Sequence, residues 1–289
     1  MEKIAVITDS CADLRIEDRE KYDIFVIPLK LTFSDGTYYD GLDITADEVY
    51  RRLPVDLPKT SLPDGDIILK TFDAVRDKGY TCAVAPILSS GLSGTHQLIK
   101  MLAEEYTDVE IKVFDSNSGS LGTGAVAIHA ARLIQAGRTF EQMQDIVPRL
   151  CRNTTVYFSV NTLEYLKKGG RIGMIAAVAG SMLGIKPIIS FAPNGQLVSV
   201  AKVRGRAAAM KKLVELAKNQ IEPNKAYNIM WAHGGCLAEG EQVRDLLQAA
   251  APEYRSVYSG EIDGTLASYV GPELLGAAAQ VLDDDMILE

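Results

Sequence analysis

The 289-residue chain has little cysteine, histidine or tryptophan (four, three and one residues) and no excess of positive charge. Each scarcity excludes a class of protein. Cys11, Cys82, Cys151 and Cys236 stand about seventy residues or more apart, with no Cys-x-x-Cys pair among them. A disulfide framework is far denser, so isolated buried thiols in a reducing compartment are expected. His233-Gly234-Gly235-Cys236 has no second ligand pair elsewhere, so no metal site is expected. Lysine and arginine total 30 against 38 acidic residues, a net charge of −8. That balance argues against nucleic acid or an anionic membrane as the main partner, since both reward positive charge. The least polar stretch, residues 172–185, is broken by Gly173, Gly180, Ser181 and Gly184 and stops at Lys186, whereas a spanning helix needs about 20 apolar residues. Met1-Glu2-Lys3 leads into only four apolar residues, Ile4-Ala5-Val6-Ile7, where a secretory signal carries roughly 7–15. The expectation is a cytoplasmic protein without stable membrane insertion.

What is present is ordinary globular material. Apolar residues make up 47% and charged residues 24%, enough for one large domain or two moderate ones. The first half alternates short apolar runs with amphipathic segments. Residues 4–7 and 24–29 read as strands buried on both faces, and 82–88 and 111–114 as further strands. Residues 64–78, 94–106 and 122–136 read as helices, the first and last closed by Gly79 and Gly137. Thr45-Ala46-Asp47-Glu48 reads as a capping box opening a further helix. Strands alternating with helices predict a three-layer α/β/α unit on a mostly parallel sheet. The second half differs. Residues 187–192 and 197–203 flank Asn194-Gly195 and read as a hairpin. Helices over 206–221 and 239–251 and strands over 156–160, 227–232 and 255–262 complete it. This mixture predicts an α+β unit with antiparallel strands. The boundary is placed at residues 152–154, dividing the chain into 1–153 and 154–289, with the C-terminal segment free to pack back on the first unit.

Four loops carry the polar chemistry: Thr8-Asp9-Ser10, Lys59-Thr60-Ser61, the run from Ser89 to Thr95, and Asp115-Ser116-Asn117-Ser118. In open α/β sheets, ligands bind beyond the carboxyl ends of the strands. Hydroxyls at a helix start also sit beside free N–H groups and the positive end of the helix dipole. Ser93, Gly94 and Thr95 thus form either an anion cradle or a simple helix cap, since Ser and Thr are favoured there anyway. Gly91-Leu92-Ser93-Gly94-Thr95 misses the G-x-S-x-G pattern at its last position, and neither the G-x-G-x-x-G nor the P-loop signature occurs. An enzyme using Ser93 as nucleophile, a hydrolase or phosphotransferase, would still need a base, and only His96, His129, His233 or a lysine could supply it. No catalytic residue and no cofactor is therefore assigned. Lys167-Lys168-Gly169-Gly170-Arg171 and Lys202-Val203-Arg204-Gly205-Arg206 are basic clusters in an acidic chain. They serve either helix capping or an acidic, phosphate-bearing partner.

An ordered set of segments then converges. Thr8-Asp9-Ser10, Thr60-Ser61-x-Pro63, Ser89-Ser90-Gly91-Leu92-Ser93-Gly94-Thr95 and Asp115-Ser116 are followed by Phe158-Ser159-Val160, Leu163-Glu164-Tyr165-Leu166-x-Lys168-Gly169-Gly170-Arg171 and Gly184-Ile185-Lys186-Pro187. Lys202-Val203-Arg204-Gly205 and Gly271-Pro272 complete it. In this order, over nearly the whole chain, the set resembles the DegV family of bacterial fatty-acid-binding proteins, which includes the lipid-carrying subunits of bacterial fatty acid kinase. The resemblance implies two domains holding one long-chain fatty acid, such as palmitate, stearate or oleate, in a tunnel between them. It implies carboxylate binding by Thr60 or Ser61 and by Ser93, with Thr95 as neighbour. It also implies a kinase subunit that binds ATP and phosphorylates the carboxylate, faced by Lys168, Arg171, Lys202 and Arg204. Relatives commonly carry His before Val-Gly-Pro and Gly after it; this chain has Tyr269 and Glu273 there. Tyr269 is then expected near the head group as a neutral donor.

Overall fold

The computed structural model describes residues 2–178 and 184–288; residues 179–183 of the weakly polar stretch lie outside them. Along the first half run β1 (Ile4–Asp9), α1 (Ile16–Tyr22), β2 (Ile24–Ile27), β3 (Lys30–Phe33), β4 (Gly36–Tyr39) and α2 (Ala46–Arg52). There follow β5 (Lys59–Ser61), α3 (Gly65–Asp77), β6 (Cys82–Ile87), α4 (Thr95–Glu105), β7 (Glu110–Asp115), α5 (Leu121–Gln135) and α6 (Phe140–Arg152). The second half holds β8 (Thr154–Ser159), α7 (Glu164–Lys168), β9 (Ile185–Phe191), β10 (Leu197–Arg204), α8 (Arg206–Asn219) and β11 (Ala226–His233). It ends with α9 (Leu237–Ala250), β12 (Val257–Glu261), α10 (Gly264–Val270) and β13 (Leu275–Leu282).

Strands β2-β1-β6-β7 form a parallel sheet in that order. Because side chains alternate across a strand, Ile4 and Val6 meet α5 and α6, while Ala5 and Ile7 meet Ile68 and Phe72 of α3 and Ile99 of α4. All six residues of β1 are buried, as a strand covered on both faces requires. This is the three-layer α/β/α arrangement that the alternating pattern predicts. The second sheet has the order β10-β9-β8-β13-β11-β12. Its pairings are antiparallel except β11 with β12. Helices α8 and α9 cover one face through Leu213, Val243 and Leu247. The strands of the parallel sheet all precede residue 116, and those of the second sheet all follow residue 153.

Three features depart from the sequence pattern. A small antiparallel sheet, β4-β3-β5, carries Thr60 and Ser61 on its edge strand. The hairpin around Asn194-Gly195 is real, but its connection spans Ala192 to Gln196, closed by Ala192 N–H on the Gln196 carbonyl at 2.8 Å. The Thr45 box is half formed. Glu48 N–H donates to Thr45 Oγ1 at 3.3 Å, but the Glu48 carboxylate turns to Arg51 and Arg52 instead of returning to the Thr45 backbone.

Helix α10 lies far along the chain but packs on the first half, against α2 and β3. Its N-terminus is anchored by buried carboxylates. Asp263 caps Leu266 N–H at 2.8 Å, and its own N–H donates to Asp13 Oδ1 at 2.9 Å. Asp40 accepts the N–H groups of Gly264 and Thr265 at 3.2 and 3.0 Å. The Asp13 and Asp263 carboxyls also face each other, with the Ser120 hydroxyl beside Asp13. A proton held between the two carboxyls relieves the repulsion of two buried anions. Burial pushes Asp13 up to about 7 and Asp9 up to about 6, and raises Asp40 and Asp263 as well.

With pKa values raised above the unfolded value of 3.8, the folded state keeps protons that the unfolded chain has released. The stabilisation is complete below about pH 4 and is lost as pH rises through about 6 to 7. Asp13→Asn cannot release this proton, so urea unfolding from pH 4 to 8 should fall less steeply for the variant than for the parent. Parallel slopes would show that Asp13 holds no proton in that range.

Candidate functional site

Between the carboxyl ends of the parallel strands and the inner face of the second sheet lies a cavity with about 1070 Å³ of empty space, its open mouth included. Leu29 and Leu88 come from just past β2 and β6, Phe158 and Gly276 from the second sheet, and Ile262 and Leu266 from the segment entering α10. The wall is largely aliphatic and aromatic.

Polar groups gather where Thr60 and Ser61 of β5, Ser93 before α4, Arg171 after α7 and Tyr269 of α10 meet at the wall, and Ser120 and Thr265 also line the cavity. Thr60 Oγ1 and the Tyr269 hydroxyl share a hydrogen bond. Ser93 Oγ lies 2.8 Å from Thr95 Oγ1 and accepts the Thr95 N–H at 3.3 Å. Thr95 itself is fully buried and does not line the cavity, so it acts on the site through Ser93.

Arg171 departs from expectation. Its glycine-flanked basic segment suggests a partner-facing charge, but the side chain is half-buried in the cavity wall. Its Nη1 donates to the Gly169 carbonyl at 2.8 Å and its Nε to the Leu92 carbonyl at 3.3 Å. The guanidinium lies 4.8 Å from the centre of the Tyr269 ring, within cation–π range. These bonds leave Nη2 without a partner among the described residues. Gly169 is required here, since a methyl group at that position would run into the Tyr269 ring. The other basic residues remain outside. Lys168 pairs with Glu164 at 2.6 Å with both side chains exposed, and Lys202 and Arg204 are exposed on β10.

No imidazole or amine hydrogen-bonds to Ser93 among the described residues, and nothing there favours a serine nucleophile. His129 is locked between the Met286 carbonyl (2.8 Å) and Asn228 (3.2 Å), and burial pushes it down to about 4. His233 stacks on Trp231. His96 does not line the cavity.

A family model described as "Uncharacterised protein, DegV family" matches residues 3–281. The chain belongs to the DegV family. A DegV domain-containing protein of Clostridium acetobutylicum is 36% identical over 276 residues, covering 96% of this chain and 98% of the relative. The structure is similar to that of a fatty-acid-binding DegV family protein from Thermus thermophilus, with TM-score 0.90, 27% identity and coverage of 97% and 100% of the two chains. It is also similar to a stearic-acid-binding protein from Eubacterium ventriosum, with TM-score 0.87, 28% identity and coverage of 97% and 98%.

Glu273 and Tyr269 can now be placed. Glu273 has φ +64°, a left-handed conformation that glycine adopts without strain and other residues do at about 1 kcal/mol or more. Its backbone N–H and carbonyl bond to the Gly234 carbonyl and to Arg206, and both bonds survive substitution. Glu273→Gly should therefore raise stability by about 1 kcal/mol; an unchanged or lower Tm would show that the side chain offsets the strain. The Tyr269 phenol can donate a hydrogen bond but, unlike an imidazole, cannot become cationic. Tyr269→His should therefore bind an anion at this end more tightly below about pH 6.5 than above it, relative to the parent. Identical pH profiles would remove Tyr269 from the anion's surroundings.

Proposed function

We propose that this protein binds one long-chain fatty acid, such as palmitate, stearate or oleate, with its tail in the cavity and its carboxylate at Thr60, Ser61, Ser93, Tyr269 and Arg171. One observation carries the reading: hydroxyls and a single guanidinium converge on one part of an enclosure whose remaining lining is apolar apart from Ser120 and Thr265. That is the complement of an amphiphile with one anionic head. Residues 1–153 and 154–289 are then the two units that enclose the tail.

The energetics agree with a carrier. A palmitoyl tail has about 14 methylenes, each gaining roughly 0.8 kcal/mol on leaving water, so the tail supplies most of the affinity and the head group sets orientation. In the cytoplasm, such a carrier shields the tail and offers the carboxylate to a kinase subunit that binds ATP and forms the acyl phosphate. The exposed cations Lys168, Lys202 and Arg204 suit the phosphate-bearing face of that partner. Arg171, turned into the wall, is better placed to hold the ligand's own carboxylate.

Native mass spectrometry of the purified protein should reveal a bound acyl chain; an empty protein that also fails to take up added palmitate would overturn the reading. A hydrogen bond to a charged group is worth roughly 1.5–3 kcal/mol, so Ser93→Ala should weaken palmitate binding by about 10- to 150-fold. The loss should shrink for methyl palmitate, which has no anion. Equal losses for acid and ester would mean that Ser93 shapes the pocket without reading the carboxylate.

A further inference from the structure

The cavity shares part of its wall with a second depression. Val156 of β8 and Phe191 at the end of β9 line the cavity and also line an outer groove between the two halves of the molecule. The groove is lined by Phe114, Pro148 and Pro193 together with the polar Asp115, Arg152 and Thr155, and has about 1250 Å³ of empty space, its open side included. No other residue lines both spaces. Val156 and Phe191 are each half-buried, as are their neighbours Thr155 and Ala192, whereas Tyr157, Phe158, Ile189 and Ser190 are buried. Beneath the ring is Gly119, where an added methyl would lie 3.7 Å from Phe191 Cζ and 3.1 Å from Leu88 Cδ1. At this point the partition is one layer of side chains thick.

We infer that this partition is a gated second outlet of the acyl pocket, and that Phe191, with Val156 beside it, decides which chain lengths the protein accepts. The inference rests on the lipid-binding reading above and adds to it where the tail ends. A chain that fits stops against the Phe191 ring. A longer one must turn the ring aside, and its methyl end then lies in the groove lined by Phe114, Pro148 and Pro193. The occupant is thus the far end of the same acyl chain, because the groove meets the cavity only through these two side chains. Rotation of a single aromatic side chain is a small rearrangement beside the close packing elsewhere in the core. Each methylene that finds an apolar surface instead of water tightens binding by about fourfold.

The test compares dissociation constants for palmitic, stearic, arachidic and behenic acids. In the parent protein, the gain per added methylene should stop once the tail reaches Phe191. Phe191→Ala should extend the gain to arachidic and behenic acids, favouring them over palmitic acid by at least about tenfold relative to the parent. Phe191→Leu, which keeps the site apolar and filled and guards against loss of folding, should shift the profile in the same direction by less. Gly119→Ala, which adds a methyl beneath the ring, should shift preference toward shorter chains. Unchanged chain-length profiles in all three variants, with palmitate still bound, would overturn the inference and leave the lipid-binding reading standing. Failure of the parent to bind any of the four acids would instead overturn the reading on which it rests.

Discussion

Everything in this molecule depends on α5 fitting between two sheets. Twelve of its fifteen residues are buried, and it packs on β1 and β6 on one side and on β8, β11 and β12 on the other. A helix enclosed on both sides has no room for large side chains at close approach, hence the run Gly122-Thr123-Gly124-Ala125-Val126-Ala127. At Gly124 an added methyl would strike the Ala12 carbonyl. One buried polar set fixes the helix against the second sheet, His129 meeting Asn228, which in turn meets Gln280 at 2.9 Å. The cavity follows from the same geometry. Where α5 begins, at Gly119 and Ser120, the space between the sheets is no longer filled by helix, and the surrounding strands contribute leucines and phenylalanines in its place.

The second constraint is on α10. It presents Thr265, Leu266, Tyr269 and Val270 to the cavity, a spacing that marks one face of a helix. Its seven residues are too few to hold a helix together alone. The capping carboxylate of Asp263 and the acceptors on Asp13 and Asp40 satisfy its first N–H groups. The wall of the binding cavity is thus tied to buried carboxyls contributed by both halves of the chain.

How much of this was legible in the sequence depends on whether a signal was local. The parallel strands are continuous apolar runs, the helices have caps and periodic faces, and the Ser93 loop lies beyond a strand end; all can be read from neighbouring residues. The small sheet is not legible, although Asp35-Gly36 stands between β3 and β4, because its strands are only three or four residues long. β13 carries no such mark. Leu275-Gly276-Ala277-Ala278-Ala279-Gln280-Val281-Leu282 has mostly helix-forming residues, yet it is a central strand because β8 and β11 supply backbone partners on both sides. Arg171 shows the same limit at the candidate site. Its charge and flanking glycines are visible in sequence, but its place against Tyr269 is set by the packing of α7 on α10.

That placement bears on what Arg171 can do. A free arginine side chain loses about 2 kcal/mol of rotamer entropy when it is fixed. Here the loss occurs on folding, because two carbonyls and an aromatic face already hold the guanidinium. An anion arriving at Nη2 therefore meets a donor in position and need not order one. The lysines on the exterior are not held in this way. Lys168 reaches solvent-exposed Glu164 across one helical turn, a pairing that water and salt screen. The chain thus keeps two sorts of positive charge: one fixed and half-buried in the wall of an apolar cavity, and others loosely held on the surface. The first suits selection of one anion in one orientation, and the second suits contacts that form and break.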